Sequence, residues 1–144
     1  MDNMAELIID AKGAIVGRVA SFAAKQALLG FTVSIVNCEE SVISGDRHAT
    51  HAKYHRLHFT LGQQQYGPYI PRLPDRFVRR LLRGMLQYKK GRGHDAYKRI
   101  MCYLSVPAEF KDKKMVHTLK KGVELPTLKY ITVGALCRSL GGKV

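Results

Sequence analysis

Acidic side chains are almost missing from the middle of this 144-residue chain: residues 47 to 100 hold thirteen Lys and Arg against two acids, Asp75 and Asp95. Catalysis needs a positioned acid, base or nucleophile, so the shortage argues against an enzyme. His94 and Asp95 are adjacent and would point to different sides of a helix, a poor dyad, and Asp75 after Pro74 reads as a helix cap. Cysteine is also scarce. Cys38, Cys102 and Cys137 are odd in number, far apart and without a C-x-x-C pair, which excludes a disulfide framework and a Cys-rich zinc site and leaves small buried side chains. No apolar run reaches the roughly 18 residues of a membrane span, and the start Met-Asp-Asn-Met-Ala-Glu lacks a secretory pattern. Without an amphipathic helix bearing exposed aromatics or a lipidation signal, a membrane partner is not expected, and the cytoplasm is the default location. Repeats and low-complexity segments are absent too, so residues 1–144 read as one domain with a basic central extension at about 46–100.

Charge is polarised along the chain. Residues 1 to 46 carry a net −3, residues 47 to 100 a net +11 and residues 101 to 144 a net +5, so the first third reads as scaffold and the rest as binding surface. Ten of the twenty-eight residues from Arg72 to Arg99 are Lys or Arg, a balance that requires a polyanionic partner. Advancing each residue by about 100° separates Phe77, Val78, Leu81, Leu82 and Met85 from Arg76, Arg79, Arg80 and Arg83 on opposite helix faces. Ordinary surface helices mix Glu with their cations to form i,i+4 pairs, and this one has no acid on its outer face. Such a helix packs with one side and offers four guanidinium groups to nucleic-acid phosphates with the other.

The rest of the pattern predicts an α/β layered domain. Glu6 to Asp10 is a short strand, Ala11-Lys12-Gly13 a turn, Ile15 to Leu29 a helix stopped by Gly30, and Phe31 to Asn37 a β-branched strand. That βαβ order forces a parallel pair. Ser41 to Ser44 is a further short strand or extended bend, residues 46 to 58 a basic, histidine-rich helix, and Gly62 to Pro71 an extended loop broken by Gly and Pro. Gly91-Arg92-Gly93 interrupts the helical pattern, which resumes from His94 to Arg99. Ile100 to Val106 reads as a buried strand ended by Pro107, Lys111 to Pro126 as weakly patterned, and Thr132 to Gly141 as a capped helix.

Gly13-x-x-x-Gly17-Arg18 sits where phosphate loops sit, yet lacks both the dinucleotide and the P-loop spacing. It reads as a turn glycine and a close-packing glycine, with Arg18 supplying one phosphate contact. His48, His51, His55 and His58, spaced three, four and three apart, would line one side of a helix. Metal ligation would need a converging third ligand of another kind, and no acid lies between Asp46 and Asp75, while Arg47, Lys53 and Arg56 crowd the same helix. Neither a metal nor another cofactor is expected, and contacts along an RNA backbone suit these imidazoles better. Tyr54, Tyr66, Tyr69, Tyr88 and Tyr97 interleave with basic residues as stackers on unpaired bases, Tyr66 and Tyr69 above all, although some will be core. The turn from Lys89 to Gly93 combines charge with small residues that admit a phosphate closely, and Lys98 and Arg99 extend the surface.

With Arg83-Gly84-Met85-Leu86, then Gly91-Arg92-Gly93 and Ile100 to Leu104, the chain resembles the universal large-subunit ribosomal protein thirteen family, archaeal and eukaryotic branch. Ile8 to Gly13, Gly17 to Ser21, Val36 to Glu39, Ile43 to Gly45, Gly67-Pro68, Arg72-x-Pro74-x-Arg76, Pro107-x-x-Phe110 and Lys129 to Gly134 continue the likeness over nearly the whole chain. The resemblance implies a three-layer α/β/α fold around a small, mostly parallel four-stranded sheet. It also implies a non-catalytic structural role on large-subunit ribosomal RNA, beside neighbouring large-subunit proteins and without a small-molecule substrate. It implies RNA contacts at Arg83, Gly84, Lys89, Lys90, Arg92 and Gly93, within its signature, and at Arg18, Arg72 and Arg76 outside it. Two departures stand out: Gln87 replaces the family's usual Pro, so the turn there is expected to be shaped differently, and the histidine row is this chain's own. The ending Gly141 to Val144, without a long basic tail, is the archaeal habit. The rivals are a metal-dependent nucleic-acid enzyme, which would carry stoichiometric metal, and an mRNA-binding regulator, which would form a free pool.

Overall fold

The computed structural model describes residues 5–60, 67–117 and 121–144. The first strand, β1 (Glu6–Asp10), leads into helix α1 (Val16–Leu28) and back into β2 (Thr32–Val36), which pairs with β1 in parallel from Glu6 opposite Thr32 to Asp10 opposite Val36. Helix α1 forms because Val16, Val19, Ala20, Ala23, Ala24 and Ala27 recur on one face and are all buried. Its end comes where expected, with Gly30 at φ +104° and the Phe31 N–H reaching back to the Gln26 carbonyl. Two three-residue strands complete the sheet: β4 (Ile100–Cys102) beside β2 and β5 (Met115–His117) beside β1, both parallel, in the order β4-β2-β1-β5.

Alternation along the strands separates two faces. Leu7, Ile9, Val33, Ile35, Ile100 and Cys102 face the main core with α1, α3 (Pro74–Met85), α4 (Gly91–Lys98) and α5 (Val133–Ser139). Ile8 and Val36 face the other way, under Phe110, Tyr103, Val106 and Met115. The second covering layer is thus the 3₁₀ turn Ala108–Phe110 and its approach rather than a full α-helix. A second, two-stranded antiparallel sheet pairs β3 (Val42–Ser44) with β6 (Tyr130–Thr132). Buried Ser41 ties it to the main sheet, its hydroxyl donating to the Cys38 carbonyl at 2.6 Å while its own carbonyl accepts from the Val133 N–H at 2.8 Å. Thr132 caps α5 by accepting from the Ala135 N–H at 3.2 Å.

The structure corrects several expectations. The strand expected over Ile100 to Val106 stops at Cys102, β5 lies in the stretch expected to be weakly patterned, and β6 lies where no strand was expected. Gly91-Arg92-Gly93 does not interrupt a helix but forms the first turn of α4. Asp75 is not a cap: Leu73 holds that position, and Asp75 lies inside the first turn, where a carboxylate still complements the helix dipole. Gly17 is not close-packed, since a Cβ there would meet nothing within 4 Å, whereas Gly13, at φ +67°, is the expected turn glycine. The cysteines are buried as expected.

Candidate nucleic-acid interface

Helix α3 divides as its sequence predicts. Phe77, Val78 and Leu82 are buried and Leu81 packs at the edge of the core, while Met85, 47% exposed, leaves the expected apolar face. On the other side Arg76 is exposed and Arg79, Arg80 and Arg83 are half-buried. Tyrosine rings pack against two of them. The Arg79 guanidinium lies 4.6 Å from the Tyr97 ring centroid, and that of Arg83 lies 4.1 Å from Tyr88, to whose hydroxyl it donates at 2.6 Å. That hydrogen bond, with the cation behind it, pulls the Tyr88 phenol below its ordinary pKa.

None of these cations meets a carboxylate. Among the described residues the ion pairs are Lys12–Glu40, Lys113–Glu6 and His117–Asp10, on other parts of the surface. The Nε atoms of Arg79 and Arg83 are buried without a hydrogen-bond partner. Opposite α3, Gly67, Pro68, Tyr69 and Pro71 form the far wall of an open cleft of about 590 Å³, with the four arginines and Tyr97 lining the rest. Tyr69, 66% exposed, stands at its rim. Tyr66, the other preferred stacker, lies outside the described residues.

Arg72 precedes the helix and is exposed, its Nε donating to His58 Nε2 at 2.7 Å. Gly142 packs closely on its backbone, and any Cβ there would strike the Arg72 carbonyl. Partial desolvation first, and the Arg72 cation second, push the His58 pKa down. The histidine row keeps its helical spacing as far as His55, whose ring centroid lies 5.8 Å from that of His51. Helix α2 (Arg47–His55) then gives way to a π-helical turn, Arg56–Thr60. His55 and His58 both pack against Phe59 there, with centroids 4.7 and 4.6 Å away. His48 instead joins Arg47 and His51 in a hollow of about 380 Å³ against β6 and α5. Arg47, Lys53 and Arg56 are exposed around this helix. Tyr54 packs edge-on against Phe77 at 5.2 Å, so it belongs to the core, and burial raises its pKa.

Beyond α3 the chain turns sharply, the Lys90 N–H donating to the Gln87 carbonyl at 2.9 Å. Lys89, Lys90 and Arg92 are exposed there, as is Lys98 at the end of α4. Gly84 is exposed with open space where a Cβ would be, whereas Gly93 is buried with its α-carbon against the Gln87 backbone. The expectation that Gly93 admits a phosphate is therefore corrected: its smallness serves an internal contact. Arg99 is likewise drawn inward, donating to the Ala27 carbonyl at 3.2 Å at the C-terminal end of α1. Arg18 is exposed on the first turn of α1. The tyrosine partners of Arg79 and Arg83 were not assigned from sequence; only the interleaving of Tyr with basic residues hinted at them.

Comparison with known proteins places these features in context. A family model described as ribosomal protein L13 matches residues 4–109. The chain is 45% identical over 139 residues to the large ribosomal subunit protein uL13 of Methanococcoides burtonii, covering 94% of this chain and 98% of that one. It is 44% identical to the protein of that name from Methanosarcina barkeri, at the same coverage, and 39% identical to that from Archaeoglobus fulgidus, covering 93% and 86%.

Proposed function

The chain belongs to the ribosomal protein L13 family, a family of structural ribosomal proteins rather than enzymes, and from that premise we propose that it is a large-subunit component that binds and stabilises ribosomal RNA in the cytoplasm. It does so during subunit assembly and in the finished ribosome, alongside neighbouring large-subunit proteins. The observation that carries the reading is the outer face of α3, where four arginines stand without one carboxylate partner among the described residues. Folding such a surface without a counter-charge leaves mutual repulsion that a phosphate backbone relieves, with release of the RNA's own counterions.

The interface we propose centres on Arg76, Arg79, Arg80, Arg83 and Gly84. It continues through Arg72 and Tyr69 on one side and through Lys89, Lys90, Arg92 and Lys98 on the other. Arg18, Arg47, Lys53 and Arg56 are outlying phosphate contacts. Specificity comes from RNA shape, because phosphate contacts fix position without reading sequence. Sedimentation of a cell lysate before and after a high-salt wash tests the assignment. The protein should remain stoichiometric in the large subunit; recovery mainly in light fractions would refute it.

A further inference from the structure

The cleft beside α3 is shaped for more than a phosphate backbone. Its described lining holds four arginines and no acid, which suits an anionic ligand, and it also holds Tyr69, Tyr97 and two prolines, which suit a planar apolar part. Its volume of about 590 Å³ lies within the range of sites that enclose a small ligand. A duplex backbone, by contrast, needs only a flat or convex basic surface. Two of the arginines are also held in place beforehand: Arg79 lies over Tyr97 and Arg83 over Tyr88, so neither has to be ordered by the ligand.

The geometry points to a site for one unstacked nucleotide of the bound RNA. The phosphate sits on Arg76 and Arg80, and the base enters between the Pro68–Tyr69 wall and the Arg79–Tyr97 stack. Aromatic rings and guanidinium planes are the surfaces on which splayed-out bases stack. The cleft thereby selects a bulged or looped nucleotide and sets the register of the surrounding phosphate contacts. This inference rests on the RNA-binding reading above and narrows it.

The test is an NMR titration of the full chain with 5′-AMP, 5′-UMP and inorganic phosphate, alongside binding of a large-subunit ribosomal RNA transcript. Both nucleotides should saturate the cleft about tenfold more tightly than phosphate, with ring-current shifts at Tyr97 and at the Arg79 side chain. Tyr69→Ala, at an exposed rim position, should remove about that factor while leaving the salt dependence of transcript binding unchanged. Equal binding of phosphate and nucleotide, or shifts located outside the cleft, would overturn the nucleotide site and leave RNA binding intact. Failure of the unaltered protein to bind the transcript at all would bring down both readings.

Discussion

Replacing Arg79, Arg80 and Arg83 together by Ala isolates the electrostatic role of α3. Each phosphate contact contributes a slope of about 0.7 to 0.9 in log affinity against log salt, so losing three flattens the dependence by about 2 to 2.7. Between about 50 and 200 mM salt, the affinity gap between variant and parent should narrow roughly 20- to 40-fold. The fold should survive. Arg79 and Arg83 each give up a cation–π contact worth about 0.5–1 kcal/mol, small beside the roughly 5–15 kcal/mol of a whole domain. Ala also removes two buried Nε atoms that have no partner, which offsets part of the loss. The assay is filter binding of a large-subunit ribosomal RNA transcript over a salt series, with circular dichroism to confirm folding. The triple Lys variant keeps the charges and should keep the slope while losing the stacked, planar geometry. A folded Ala variant with the parent's slope would refute the assignment of this helix to the interface.

Two glycines nine residues apart should behave oppositely. Gly84→Ala meets no atom and should raise helix stability by up to about 1 kcal/mol while weakening RNA affinity, whereas Gly93→Ala collides with the Gln87 backbone and should lower the melting temperature severely; thermal unfolding and transcript binding read both. Burial, and the charge of nearby Asp75, push the Cys137 thiol up to about 12, so it should resist thiol reagents at neutral pH until the protein unfolds. Because the unfolded chain releases that proton first, this group's contribution is intact below about pH 8.5 and is lost as pH rises towards 12, which alkaline unfolding of Cys137→Ala against the parent will measure. His58 has a lowered pKa, so its contribution is intact above about pH 6.5 and falls as acid charges the ring facing Arg72; Arg72→Ala should raise its NMR titration midpoint, and an unmoved midpoint would dismiss the contact.

What could be read from the sequence follows how local each cause is. Segment β1-α1-β2 was legible because its β-branched runs and its stripe from Val16 to Ala27 carry their own periodicity, and the arginine face of α3 was legible for the same reason. Strand β5 was not, because Met115–His117 is a strand only by pairing with Ile8 to Asp10, more than a hundred residues earlier. The same holds for β6, whose partner is β3. The glycine run before His94 was misread because Gly93 looks like a breaker, while its real constraint is the Gln87 backbone beside it. Nothing local to Arg99 reveals the Ala27 carbonyl to which one of its N–H groups donates. The candidate site was visible as charge; the tyrosines that hold the charge flat, and the facing wall at Pro68 and Tyr69, required the fold.

The basic segment meets the rest of the fold at both ends, where Gly142 packs closely on the backbone of Arg72 and Arg99 donates to the end of α1. With α3 between those contacts already helical, RNA meets a preorganised cationic strut and has little backbone there to freeze. Association along this strut should therefore resemble docking of two finished shapes, with a heat-capacity change set by the contact area alone and well short of that of coupled folding. Disrupting either contact would leave every arginine of α3 in the chain and still weaken the complex, because the loss would fall on the entropy of assembly.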